Sequence, residues 1–226
     1  MSSNTSIGRG KKGSKFWMQE LINGRDVTQL NEAILGKGCK IGWISPLASE
    51  NYAEYMLNSE SLQETLKGKG VAFGKGFFSF WPARQPQWDA IGITEDKTLI
   101  LVEAKAHTSE TITHKQTDEA KMSDGSKKNL KLITESMRES FESLNSKGDF
   151  DVWLNEYYQL GNRLTFLTKL KEKGIKVKLV LLNIVGDPTH ISTTEKEWQN
   201  HYAQAFGKMI GRLDAPQDVI IVNFKV

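Results

Sequence analysis

Asp89, Glu103 and Lys105 are the residues of this chain whose types and spacing point most directly to chemistry. They fall on two neighbouring runs of strand character, Gln87 to Ile93 and Thr98 to Lys105, joined by the polar turn Thr94-Glu95-Asp96-Lys97. Side chains alternate between the faces of a strand, so register decides which can meet. If Thr94 pairs with Thr98 around Glu95-Asp96-Lys97, Asp89 lies opposite Glu103, and Lys105 points the same way. Two carboxylates facing each other across strands repel, at a cost of about 0.2 to 1 kcal/mol when exposed and more when desolvated. A hard divalent cation offsets that cost: Mg²⁺, or Mn²⁺ in its place, takes carboxylate oxygens and leaves positions for water and phosphate oxygens. Such an ion lowers the pKa of its water and stabilises charge on a phosphodiester, while Lys105 orients the water or offsets phosphate charge.

The elements that must position this trio are read from apolar periodicity. Phe16 to Leu35 predicts two short helices interrupted near Gly24, and Ser45-Pro46 predicts a helix start, with that helix running to about Leu57. A further helical piece surrounds Leu62 and Leu66, and Phe77, Phe78, Phe80 and Trp81 read as a strand after the glycines at 68 to 76. The span Thr108 to Lys128 reads as a long loop, followed by helix near Leu130 to Leu144. One long amphipathic helix is expected through Trp153, Tyr157, Leu160, Leu164 and Leu167. Val177 to Val185 has the composition of a strand covered on both faces, and a helix through Trp198 to Met209 and a strand over Val219 to Phe224 complete the order. The expected fold class is α/β, a central mixed sheet flanked by helices.

The segment WDAIGITEDKTLILVEAKAH, with Asp89 on one strand and Glu103-Ala104-Lys105 closing the next, resembles the active-site hairpin of the PD-(D/E)XK, restriction-endonuclease-like nuclease superfamily. The resemblance spans about Ser45 to Val185 and implies an αβββαβ core, Mg²⁺-dependent cleavage of DNA, less often RNA, and in many members a homodimer. The chain departs from the pattern at Trp88, which stands where the namesake proline would be, with Pro86 two residues earlier. The superfamily's first core helix often adds a glutamate to the metal site, which selects Glu54, with Glu50 second. Gln159 and Arg163, four residues apart, resemble the glutamine-bearing helix of exonuclease-like members.

Each assignment has a plainer competitor. The trio can be a surface salt bridge on a hairpin, and Glu50 and Glu54 a solvated helix face. The triplet recurs as Glu119-Ala120-Lys121, in a polar stretch with no strand before it. His107 and Glu110 follow Lys105, and His107 shares its strand parity, suiting contact with a phosphate or a metal-bound water; a simple strand-end role is the competing reading. Gly161 costs roughly 1 kcal/mol in a helix interior, which fits close approach of that helix to the sheet or plain packing. The lysines at 169, 171, 173, 176 and 178 read as a solvated helix end rather than a phosphate site.

Composition sets the outer bounds. The 226 residues are 38% hydrophobic and 25% charged, ordinary values for one globular domain, assigned to 16–226. Residues 1–15 hold four basic and no acidic side chains, leaving 26 basic against 27 acidic in the rest. That opening reads as a disordered basic tail that solubilises the chain or touches phosphates nonspecifically. The lone Cys39 excludes an internal disulfide and reads as a structural thiol. No apolar run approaches the roughly 18 residues needed to span a bilayer and no signal core is seen, so the expected location is cytoplasmic, with no membrane partner. Against the nuclease stands a second function class, a module that keeps the fold without turnover and binds nucleic acid or protein; the near-neutral domain favours it.

Overall fold

The computed structural model describes residues 7–114 and 122–226. Its core is a five-stranded mixed sheet: β1 (Gly42–Ser45), β2 (Ala90–Ile93), β3 (Leu99–Lys105), β4 (Val177–Val185) and β5 (Val219–Lys225), adjacent in that order. β1, β2 and β3 form an antiparallel meander, and β4 and β5 run parallel to β3. Among the described residues seven helices surround the sheet: α1 (Gly13–Asn23), α2 (Val27–Leu35), α3 (Glu60–Gly68), α4 (Asp124–Ser143), α5 (Phe150–Asn155), α6 (Tyr158–Glu172) and α7 (Glu195–Ile210). The fold is therefore α/β with helices on both faces.

Strand parity sorts the core in two. Ala90, Ile100, Val102, Ala104, Val180 and Leu182 face α1 and α2, meeting Met18, Leu21, Leu30 and Ile34. Ile91, Ile93, Leu99, Leu101, Leu179 and Leu181 face the larger layer, where Trp153, Leu164, Phe166, Trp198 and Phe206 are buried. β4 is buried on both faces because parallel neighbours and both helical layers enclose it, which its unbroken apolar run requires. α7 starts on a capping box in which Thr194 and Glu197 satisfy each other's backbone amides.

Several expectations are corrected. The helix expected from Pro46 to Leu57 is absent: Pro46 follows β1 across a cis bond, one 3₁₀ turn spans Ala48–Glu50, and Tyr55 bridges Trp88 in extended form. The expected strand at 77–81 is a succession of tight turns, because Phe77, Ser79 and Trp81 each donate to the carbonyl three residues back, at Gly74, Gly76 and Phe78. Its aromatic rings stack edge-on instead, Phe80 and Trp81 against Phe166 of α6. The single helix expected through Trp153 and Leu167 is broken into α5 and α6, since Glu156 and Tyr158 pair their backbones with Thr113.

The opening is ordered earlier than residue 16. Gly8 donates to the Asn51 carbonyl, Arg9 pairs with Glu20, and α1 begins at Gly13; residues 1–6 lie outside the described residues, as does the triplet Glu119-Ala120-Lys121. Cys39 is exposed rather than a core thiol. Lys169, Lys171, Lys176 and Lys178 form ion pairs with Glu139, Asp218 and Asp96. No helix among the described residues is long and apolar enough to cross a membrane.

Gly92 shows how tightly β1 and β2 are locked. An added Cβ there would lie 2.3 Å from Ile41 Cγ2 and 3.0 Å from Trp43 Cε3. Gly92→Ala is expected to cost about 1 to 3 kcal/mol, read as a lowered urea midpoint with the slope unchanged; an unchanged midpoint would show that β1 does not press on β2.

Candidate functional site

The site begins with the turn of the β2–β3 hairpin. Thr94 and Thr98 pair around three residues, Lys97 takes a left-handed φ of 68°, and Asp96 accepts hydrogen bonds from both threonine hydroxyls. Those bonds hold the Asp96 carboxyl down, to about 2. The register that follows pairs Ala90 with Val102; Asp89, just before β2, donates its amide to the Val102 carbonyl and lies near enough to Glu103 for the two charges to act on each other.

A third carboxylate joins on the other side. The antiparallel bridge between Tyr55 and Trp88 sets Glu54 opposite Asp89. Glu54, Asp89 and Glu103 therefore form a row across three backbone segments. Glu54 reaches it from an extended segment rather than from a helix, and Glu50 does not reach it: Glu50 is exposed and accepts from the Tyr55 hydroxyl.

Glu103, 5% exposed, is gripped by two cations. Lys105 Nζ lies 2.6 Å from its Oε1, and Arg163 reaches Oε2 through Nε and Nη2, both at 2.5 Å. Burial pushes the Glu103 carboxyl up, but Arg163 and Lys105 outweigh it and hold the group below the ordinary carboxylate range. Burial likewise works against the Lys105 ammonium, and Glu103 and Asp89 overcome it, so Lys105 stays protonated. Arg163 also donates to the Gln87 carbonyl at 2.7 Å and lies over the Trp88 ring, 4.4 Å from its centroid. Trp88 is thus the floor on which the guanidinium rests.

Asp89 is the uncompensated member. Its Oδ2 accepts from the Ala104 amide at 2.7 Å, yet burial, Glu103 and Glu54 together push its carboxyl up to about 7. Asp89, Glu54, Arg163 and Gln159 line a cleft of about 580 Å³, together with Trp81 and Arg84. A second, water-sized space of about 10 Å³ touches Glu103, Lys105, Gln159 and Tyr202.

The remaining assignments separate. His107 and Glu110 pair with each other at 3.2 Å, Glu110 accepts from Ala106, and neither lines the cleft. Their distance from the row follows from the backbone, which leaves β3 after Lys105 and turns through Thr108–Thr111. Gly161 permits close approach to Met137 and Trp153 of α4 and α5, not to the sheet. Sequence reasoning missed Gln85, Asn162 and Tyr202. Asn162 had a signal, since it shares a helix face with Gln159 three residues before it; Gln85 lies in an irregular loop that offered none.

Among the described residues no three His, Cys, Asp or Glu side chains enclose a common metal position by themselves. Mg²⁺ asks for less, because one or two carboxylates and several waters complete its shell. Asp89, with Glu54 alongside, is the carboxylate of the row left open to such an ion, since Lys105 and Arg163 already hold both oxygens of Glu103. No protein-family model matches the chain, and none of the curated proteins or solved structures compared with it matches either.

The displaced titration of Asp89 gives a stability test. Its folded value of about 7 stands above the ordinary 3.8, so the native state holds the proton more tightly than the unfolded chain does. Stability is therefore lost as pH climbs through that interval, and the loss is complete above it. Asp89→Asn keeps an acceptor for the Ala104 amide and removes the repulsion. Without divalent ions it is expected to melt about 2 to 8 °C higher than wild type at pH 8.5, with the gain vanishing by pH 4; a gain that is equal at both values would contradict the assignment.

Proposed function

We propose that this chain is a Mg²⁺-dependent nuclease that hydrolyses phosphodiester bonds of DNA. The observation that carries the reading is the carboxylate row Glu54–Asp89–Glu103 beside a protonated Lys105 at the edge of an open cleft. The chain order is α2, β1, α3, β2, β3, α4, α5, α6, β4, so an αβββαβ core of the kind the hairpin's resemblance to PD-(D/E)XK nucleases implies would begin before Ser45 and carry α3, α4 and α5 as additions.

Asp89, with Glu54 alongside, would hold the ion. When bound, the ion supplies a water of lowered pKa and positive charge for the phosphate oxygens. The protein's own groups have distinct tasks. Lys105 cannot serve as a proton acceptor while Glu103 and Asp89 keep it charged, so it acts as a donor toward negative charge that develops on the phosphate. The backbone amide of Ala104 fixes the Asp89 carboxylate, so the row is oriented before substrate arrives. Gln159, which touches both the cleft and the water-sized space behind Glu103, is placed to orient a water between them.

A second reading has its own observation. Glu103 is already ion-paired with Lys105 and Arg163, a buried arrangement that could serve the fold alone and leave a nucleic-acid or protein-binding module without turnover. Cleavage of plasmid and single-stranded DNA in Mg²⁺ or Mn²⁺ separates the two. Turnover by wild type, reduced by about a hundredfold or more in Asp89→Asn and Lys105→Ala, is the expected result. A folded wild type that cuts neither substrate in either ion would establish the module instead.

A further inference from the structure

The cleft holds buried polar atoms that the fold leaves unmatched. Both amide atoms of Gln85, Oδ1 of Asn162 and Nη1 of Arg163 have no hydrogen-bond partner among the described residues. The three residues are 5%, 9% and 3% exposed, and all of them line the cleft that contains Asp89. Each such atom costs stability, and native folds tolerate few of them. Four such atoms, on three side chains that line one cleft, concentrate that cost beside Asp89 and leave hydrogen-bonding capacity for a partner that opens onto them. Asn162 is hydrogen-bonded to Tyr158 through its side chain, so the amide is tied on one side while its carbonyl oxygen lacks a mate.

The mixture of groups identifies the partner's chemistry. Gln85 offers one donor and one acceptor, Asn162 an acceptor, and Arg163 a donor. Phosphate oxygens only accept, so a phosphate would leave Gln85 Oε1 and Asn162 Oδ1 unsatisfied. A nucleobase edge presents donors and acceptors side by side. Tyr158, only partly buried, borders the same cleft and supplies aromatic surface on which a base can stack. In an intact duplex the Watson–Crick edge is occupied and the base faces are stacked, so only an unpaired base can offer both.

We propose that Gln85, Asn162 and Arg163 form a recognition subsite for an unpaired nucleobase, giving the chain a preference for single-stranded over continuous duplex DNA. The inference rests on the nucleic-acid part of the reading above and not on turnover. Its geometry places the recognised base beside the Glu54–Asp89–Glu103 row, since Arg163 belongs to both: Nε and Nη2 hold Glu103 while Nη1 faces no protein acceptor.

The test is fluorescence anisotropy on the full chain in EDTA, with a single strand of about 20 nucleotides of mixed sequence and a duplex of the same length. Wild type is expected to bind the single strand about tenfold or more tighter than the duplex. Gln85→Met, which keeps the length of the side chain and removes both polar atoms, is expected to lose that preference while its melting temperature stays level or rises. Equal affinity for the two DNAs, or unchanged binding by Gln85→Met, overturns the subsite. A sharp fall in the melting temperature of Gln85→Met also overturns it, by showing that the amide is satisfied within the fold. Wild type that cleaves without strand preference removes the subsite and keeps the nuclease; Gln85-dependent binding without cleavage does the reverse.

Discussion

The pairing of Thr94 with Thr98 around a three-residue turn is the constraint on which the site depends. A turn shorter or longer by one residue would shift the register and send Asp89 and Glu103 to opposite faces, one into the cleft and the other against α1 and α2. With the observed register, two acids lie near enough to act on each other, and the third, Glu54, is set beside them by the bridge between Tyr55 and Trp88. The turn is itself secured by Asp96, which accepts from Thr94 and Thr98, and by the left-handed backbone at Lys97. Local turn chemistry thereby sets an electrostatic problem some distance up the hairpin.

The fold solves half of that problem internally. Arg163 and Lys105 neutralise Glu103, and Arg163 also ties α6 to the backbone at Gln87 and to the face of Trp88. Removing one partner from such a buried pair typically costs about 3 to 5 kcal/mol, so the helix and the hairpin are held together by the same contacts that orient the site. The other half is left open at Asp89, whose proton is held to about 7 by burial and its acidic neighbours. The unmatched amides of Gln85 and Asn162 form a second local cost in the same cleft. A core containing Trp88, Trp153, Trp198 and Phe206, all fully buried, can carry both.

The sequence made the hairpin legible because parity is a strict rule, and it made β4 and α7 legible because their apolar runs are long and regular. β1 escaped because four residues, one of them Gly42, carry almost no periodic signal. Ser45-Pro46 looked like a helix start, since capping chemistry is local, whereas the extended course of the chain beyond it depends on pairing with Trp88, more than thirty residues away in sequence. The aromatic stretch at 77–81 has strand composition, yet turn bonds from Gly74, Gly76 and Phe78 take its backbone. At the site, Glu54 lies on an extended segment beside Trp88 and Asp89 rather than on the helix that local capping chemistry suggested. Arg163 was placed near the row by helical spacing, but its grip on Glu103 is a tertiary contact that spacing alone does not contain.

Whether the row of acids takes up a divalent cation is read from Mn²⁺ titration calorimetry at pH 6.5 in two buffers of different protonation enthalpy. With Asp89 titrating near 7, much of it is protonated at that pH, so an ion that takes its carboxylate must expel the proton. One bound Mn²⁺ is expected, with release of a large fraction of one proton at pH 6.5, release that disappears by pH 8.5, and loss of both binding and release in Asp89→Asn. A folded wild type that binds no Mn²⁺, or binds it as tightly after Asp89→Asn, would contradict the reading of the row as a cation site.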